Sequence, residues 1–297
     1  MPRRIYFGLL LACVLAPPAS WAGNNSTDSA ESSPTPAPDK SQYNLFHPTP
    51  ENLLRSFSVD RPSQSTGPYT VDAGHFYFEA SALSYLFDQP DGGGSERRWN
   101  ALPFNFRAGL TNNVELDLAY GSYVHLRLHD SGAPAQTRDG SGDLVLQSKI
   151  NLLGNDGGKV AFGLIPFLKI PTNTNGLGNH SIEGGLGLPL QFTLPAGFAL
   201  SFETGADFVR NDADTGYNPA FVNAVVVSHA LFSDKLSGYA EFYSVVTAGP
   251  DSSNAAFIDT GLVYQILPNA EIDCGCNFGI TEAAPDYQPF VGFGFRF

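Results

Sequence analysis

Tyr287-Gln-Pro-Phe-Val-Gly-Phe-Gly-Phe-Arg-Phe297 decides how the rest of the chain is read. Side chains of a strand point alternately to its two faces. Val291, Phe293, Phe295 and Phe297 therefore share one face, and Gly292, Gly294 and Arg296 share the other. The first face is apolar enough to meet lipid; the second is small or charged. Taken alone, the stretch fits either the last strand of a soluble β-sandwich or a strand of a membrane barrel.

Upstream, the same alternation recurs from Gly74 onward. Phe76, Phe78, Ala80 and Ala82 oppose His75, Tyr77, Glu79 and Ser81; Leu102, Phe104, Phe106 and Ala108 oppose Asn105, Arg107 and Gly109; Val114, Leu116, Leu118 and Tyr120 oppose Glu115, Asp117 and Gly121. The parity continues through 144–152 against Asp143, Gln147, Lys149 and Asn151, through 160–170 against Lys169, and through 182–194 against Glu183 and Gln191. It continues in 198–208 against Glu203 and Asp207, in 236–246 against Tyr239, Glu241 and Tyr243, in 258–266 against Asp259 and Gln265, and in 272–278 against Glu271, Asp273 and Asn277. Between 218 and 231 the pattern blurs, because Val225, Val226 and Val227 fill both faces and His229 fits either. With the terminal strand this makes about twelve strands, most of them near the ~9–11 residues that cross an outer membrane.

The connections separate the two readings. Residues 111–113, 154–158, 195–197, 232–235 and 268–269 are tight turns; 88–98, 130–140, 172–179, 211–219, 248–254 and 281–286 are longer loops, and the two kinds alternate. Outer-membrane barrels have short periplasmic turns and longer external loops, a rhythm that a soluble sandwich has no reason to follow. The expected fold is all-β, a transmembrane antiparallel up-and-down β-barrel of about 12 strands over 74–297, with both ends in the periplasm. The closing stretch resembles the last strand of bacterial outer-membrane barrels, and that resemblance makes Phe293, Phe295 and Phe297 the expected assembly signal.

Ahead of the barrel, Met1-Pro-Arg-Arg4, the apolar run 5–16 and Ser20-Trp21-Ala22 read as a signal peptide over 1–22. A second reading takes Leu10-Leu11-Ala12-Cys13 as a lipidation site; either one exports the chain. Residues 23–41 are a flexible linker rich in Asn, Ser, Thr and Pro. Residues 42–73 form a periplasmic or luminal segment, with a short helix expected over 51–57 behind Thr49 as cap and Pro50 at its first position.

The net charge of −13 becomes −15 once 1–22, with two arginines and no acid, is removed. Such a chain repels nucleic acid, and after residue 22 no run is long enough for a membrane helix. Cys274 and Cys276 point the same way from one strand, poor geometry for a disulfide, and are expected to be small fillers; no metal or cofactor is expected. The face opposite the apolar stripe carries Glu79, Glu115, Asp117, Asp143, Glu183, Glu203, Asp207, Glu241, Asp259, Glu271 and Asp273 against Arg107, Arg127, Lys149, Lys169 and Arg296. These, with Tyr77, Tyr123, Tyr239 and Tyr243, are the candidate lumen-lining residues. Either they plug a narrow bore with salt bridges or they line a wet path that selects by charge. His125 and His129, beside Asp130, lie about 13 Å apart on a strand at ~3.3 Å per residue, too far to share a water or a metal, so no catalysis is expected. Gly154-Asn-Asp-Gly-Gly-Lys159 lacks the spacing of a phosphate loop and reads as a turn.

Ser58-Val-Asp-Arg-Pro62, Tyr69-Thr-Val-Asp-Ala-Gly-His-Phe-Tyr-Phe-Glu79, Phe106-Arg-Ala-Gly-Leu-Thr-Asn-Asn-Val-Glu-Leu116, Gly142-Asp-Leu-Val-Leu-Gln-Ser-Lys149, Leu168-Lys-Ile-Pro-Thr172 and Leu236-Ser-Gly-Tyr-Ala-Glu-Phe-Tyr243 occur in this order. Over 57–297 the chain thereby resembles the outer-membrane transporters associated with meta-cleavage pathways of phenol degradation. The resemblance implies a barrel in the bacterial outer membrane that passes small molecules, hydrophobic or aromatic ones among them. The rivals are a non-conducting structural barrel and an outer-membrane hydrolase. The expected partners are the lipid bilayer, lipopolysaccharide, the barrel-assembly machinery and small solutes, with no nucleic acid.

Overall fold

The structure, a computed structural model, describes residues 38–90 and 93–297. The signal peptide and nearly all of the linker read from the sequence lie outside the described residues. Fifteen strand segments occur among the described residues: β1 (Phe76–Asp88), β2 (Ser95–Ala101), β3 (Phe104–Thr111), β4 (Val114–Tyr120), β5 (Tyr123–His129), β6 (Gln136–Gly140), β7 (Leu144–Leu153), β8 (Val160–Ile170), β9 (Glu183–Thr193), β10 (Ala199–Arg210), β11 (Tyr217–Leu231), β12 (Ser233–Thr247), β13 (Ser253–Leu267), β14 (Ala270–Gly279) and β15 (Tyr287–Arg296). Twelve of them, β1, β3, β4 and β7 to β15, run antiparallel in sequence order, and β15 returns to pair with β1. The seam is in register, Phe78 opposite Phe295 and Ala80 opposite Phe293. Closure leaves no unpaired edge in lipid, where an unsatisfied backbone group costs several kcal/mol.

The outward face is the apolar stripe. Leu116, Leu168, Phe202, Phe221, Phe242, Ile258, Leu262, Ile272, Phe278, Val291 and Phe295 are all exposed, which only a lipid solvent makes favourable over so wide a surface. Val225 and Val227 belong to it while Val226 is buried. His229 also points outward, its ring on Phe198 and its Nε2 against the Ala196 carbonyl, so the blurred stretch alternates like the rest. Cys274 and Cys276 are free, Cys274 exposed outward.

The tight turns gather at one end of the barrel, the turn end, and the long loops at the other, the loop end. Two loops differ from the sequence reading. Residues 88–98 and 130–140 contain β2 and β6, which with β5 and the upper half of β1 form a sheet β1–β2–β5–β6 rising beyond the barrel wall. The expected helix over 51–57 is a single 3-10 turn, Glu51–Leu53, without a side-chain cap, and the chain is extended from Leu54 onward.

The inward parity also fails at two candidates. The register of β1 shifts between Ser81 and Leu83; Leu102, at φ 53°, and Pro103 part β2 from β3; Gly121 and Ser122 part β4 from β5. Such irregularities exchange the two faces of a strand. Beyond them Val124 and Leu126 are buried inside, whereas Tyr123 and Arg127 are exposed outside. Arg127 and Tyr123 are therefore not lumen-lining.

A charge on the outward stripe should be costly. Ile258→Lys, facing lipid from β13, is expected to lower stability by about 2–4 kcal/mol in urea titrations of protein folded into bilayers. Wild-type stability in that variant would refute the lipid-facing assignment.

Candidate functional site: the barrel interior

Residues 57–73 make side-chain or backbone contacts with β1, β3, β4, β7, β10, β12, β13, β14 and β15, strands that ring the closed barrel. A segment touching inward side chains all round a closed wall lies inside it. Glycine makes the approach possible: a Cβ on Gly294 would meet Val59 at 2.5 Å, and one on Gly109 would run into the Asp72 carbonyl.

The segment is fastened at the turn end by two cations. Lys40 Nζ lies 3.2 Å from Asp72 and 2.7 Å from Asp156. Arg55 donates from Nε to Asp156 (3.0 Å), from Nη1 to the Thr70 carbonyl (2.7 Å) and from Nη2 to the Asn112 carbonyl (2.8 Å). Asn155 accepts from the Thr70 amide. Arg296 donates to the Arg55 carbonyl and stacks over Phe57, which with Val59, Val71 and Tyr77 forms a small apolar cluster.

Deeper in, Asp60 of the segment meets the bases of the wall. Arg107 is 2% exposed and reaches Asp60 at 3.1 Å, Glu79 at 2.7 Å and Glu115 at 2.8 Å. Lys149, fully buried, donates to both Asp60 oxygens at 2.8 and 2.5 Å and to the Tyr69 carbonyl, with Glu115 at 3.3 Å. The Val71 amide also donates to Glu115, and Asp117 accepts from Gln147. On the β14 side Arg61 forms a bidentate pair with Asp273, 2.9 and 2.8 Å, and donates to Ser81.

The tip of the segment has no such bases opposite. The Gln64 and Ser65 amides donate to Glu241 (2.7 and 2.9 Å), Gln64 Nε2 to Asp259 (2.5 Å), and the Thr66 amide to Glu203 (2.7 Å), while Tyr239 donates to the Pro62 carbonyl. Among the described residues no protein donor reaches Asp117 Oδ1, Asp259 Oδ1 or Glu271 Oε1, although all three side chains are buried.

The other candidates divide in two. Asp207 lies beside Gly185 on the inner wall. Asp143, Lys169 and Glu183 sit together at the loop end instead. Lys169 pairs with Glu183 at 2.7 Å, and Asp143 accepts from Asn173, so these three tie down the 171–182 loop. Strand parity does not reach Asp60, Arg61, the 64–66 amides, Lys40 or Arg55, which precede the strands; Asp60-Arg61-Pro62, a charge pair in an extended run, is the one signal of them in the sequence. Among the described residues no three His, Cys, Asp or Glu are arranged to hold a metal. His125 pairs with Asp139 at 2.6 Å on the outward side of the extension.

Two outcomes are expected. Arg107→Ala would leave Asp60, Glu79 and Glu115 short of counter-charge and should cost about 3–5 kcal/mol in urea unfolding. A double-mutant cycle with Asp60→Asn should recover part of the loss; additive losses would mean that the two do not interact. Burial opposes ionisation of Asp156, but Arg55, Asn112 and Lys40 outweigh it and hold its carboxyl below the ordinary Asp value of 3.8. A depressed folded value contributes stability above the unfolded value and loses it as pH falls through the folded one. Acidification below 3.8 should therefore expose residues 38–56 to an acid-active protease, and Asp156→Asn should lack that pH step across the protease's working range.

An outer-membrane channel from Pseudomonas putida F1 superposes with a TM-score of 0.55 at 12% identity, over 75% of this chain and 94% of that one. The NanC porin and the translocator domain of the autotransporter NalP from Neisseria meningitidis match at TM-scores of 0.47 and 0.46, with 8% and 14% identity. These cover 72% and 75% of this chain and 99% and 88% of theirs. Among curated proteins none matches the sequence. The fold is that of outer-membrane β-barrels. The family described as “Putative MetA-pathway of phenol degradation” matches residues 59–297, and the chain belongs to that family.

Proposed function

We propose that the chain is an outer-membrane channel for small solutes, small aromatic compounds among them, with residues 57–73 as a displaceable filling of its bore. The reading rests on one observation: apart from the cluster at Phe57, Val59, Val71 and Tyr77, wall and filling meet through polar and ionised groups. A hydrogen bond exchanged for one to water is worth about 0.5–1.5 kcal/mol net, and about 1.5–3 where one partner is ionised; water can take the place of either partner, as it cannot for the contacts of a packed apolar core. The buried oxygens of Asp117, Asp259 and Glu271 that face no protein donor support a wetted interior. The aromatic class is supported by the family's description in terms of phenol degradation. Short turns and both ends of the barrel on one side support a periplasmic turn end and an external loop end. We assign the chain no catalytic step, because the His125–Asp139 pair stands on the exterior, away from the bore.

Glu203, Asp207, Glu241, Asp259, Glu271 and Asp273 line one wall, with Arg107 and Lys149 across from them, and a narrow low-dielectric bore focuses that field. Refolded wild-type protein in planar bilayers is expected to show small, cation-selective conductance. Deleting 58–70 removes the filling together with one acid, Asp60, and one base, Arg61, so conductance should rise with the cation preference retained, and phenol flux into vesicles should increase with it. Anion selectivity would overturn the wall assignment. Silence from both proteins would favour a non-conducting structural barrel, the reading to which the filled bore otherwise points.

A further inference from the structure

The outward face of the β1–β2–β5–β6 extension has an order of its own. Pairing register places Leu83, Ala101 and Tyr123 in one row, Tyr85, Trp99, His125 and Asp139 in the next, and Phe87, Arg97, Arg127 and Thr137 in the third, with Ser95 and His129 beyond. Successive rows lie about 7 Å apart along the strands. Moving away from the membrane, the face therefore passes from aliphatic to aromatic to cationic. Trp99 stacks on Tyr85 at 4.4 Å and is 42% exposed, and Tyr123 is 46% exposed.

Arg97 and Arg127 stand directly opposite each other across β2 and β5, about 5 Å apart, and both are exposed. Like charges in that position destabilise a sheet. Among the described residues neither forms an ion pair; Arg97 lies over the Phe87 ring at 5.8 Å. The acid on this face, Asp139, lies a row nearer the membrane and is taken up by Tyr123 and His125, whose hydrogen bonds hold its carboxyl below the usual range. The inner face of the same sheet is already packed by Leu86, Val124, Leu126 and Leu177. The exposed bases thus contribute nothing visible to folding, in a chain with 29 acids against 16 bases. The irregularities beside Ser81, Leu102 and Gly121 are what turn Arg127 outward.

We propose that this face binds the phosphates of the outer leaflet's phosphorylated glycolipid, lipid A, with Arg97 and Arg127 as the phosphate ligands and Trp99 and Tyr123 at the boundary between sugar and acyl chain. Paired guanidiniums suit bidentate phosphate contacts, and indole and phenol rings favour the interface. The proposal rests on the external loop end proposed above, but its test in micelles, which have no sides, does not.

Trp99 is one of two tryptophans, so Trp21→Phe in the full chain leaves it as the only source of tryptophan emission. That protein, folded in zwitterionic micelles, would be titrated with bis-phosphorylated lipid A, with dephosphorylated lipid A and with inorganic phosphate. The expected result is a saturable shift in Trp99 emission with the phosphorylated lipid, at about tenfold lower concentration than with the dephosphorylated form, and no shift with inorganic phosphate. Arg97→Gln with Arg127→Gln should weaken binding about tenfold while keeping heat-modifiable migration in SDS. An equal response to dephosphorylated lipid, an equal response to free phosphate, or unchanged affinity in the folded double variant would each overturn the proposal. If the double variant fails to fold, the comparison of lipids on the parent protein decides alone.

Discussion

A charge on the inner wall of a closed barrel has to find its counter-charge inside that wall, because the outer face is given over to lipid. Arg107 shows the consequence. It is buried beside Glu79 and Glu115, and the third carboxylate that it reaches, Asp60, comes from a segment outside the barrel strands. Lys149 repeats the arrangement with the same Asp60. Burying such groups costs several kcal/mol per ion unless pairing and hydrogen bonding are complete. The wall and the segment are therefore one electrostatic unit, neither of which is balanced alone.

The pairing is lopsided. On β3 and β7 the wall supplies cations and the segment supplies Asp60. On β12 to β14 the wall supplies carboxylates, and the segment answers with Arg61, the Gln64 side chain and bare backbone amides. An amide carries only a partial charge, so Glu241 and Asp259 are hydrogen-bonded without being neutralised. The acidic excess visible in the composition thus collects along one side of the bore and is not averaged over it.

Much of this was legible in the sequence. Val291, Phe293 and Phe295 against Gly292 and Gly294 gave the lipid face, and the same parity carried through to Glu79, Arg107, Glu115 and Lys149, all buried inside. Parity depends on an unbroken strand, and it failed for Arg127 and Tyr123 because Gly121 and Ser122 interrupt β4 and β5 without leaving a distinctive pattern. The strands β2 and β6 were hidden for another reason. Gly92-Gly93-Gly94 and Ser131-Gly-Ala-Pro134 read as loop, and the short polar stretches after them, such as Gln136-Thr-Arg-Asp-Gly140, have little apolar alternation to set against that. The location of 57–73 was beyond reach, since prolines and glycines announce an extended chain but not where it lies.

The two ends of the molecule treat some of their bases differently, and the difference follows from backbone geometry. Below the irregularities at Ser81, Leu102 and Gly121, bases point inward and are spent on Asp60, Glu79 and Glu115. Above them the faces exchange, and inside Leu126 packs with Val124 against Leu177 while Arg98 pairs with Glu96 and Arg138 donates to the Gly176 carbonyl. Arg97 and Arg127 are carried to the outside, where no acid among the described residues pairs with them. Had β5 kept the parity of β4, Arg127 would enter the bore beside Arg98, and Leu126 would face outward at the height of the charged row. A few residues of broken register thus decide both that Val124 and Leu126 pack inward against Leu177 and that the outer rim carries Arg97 and Arg127.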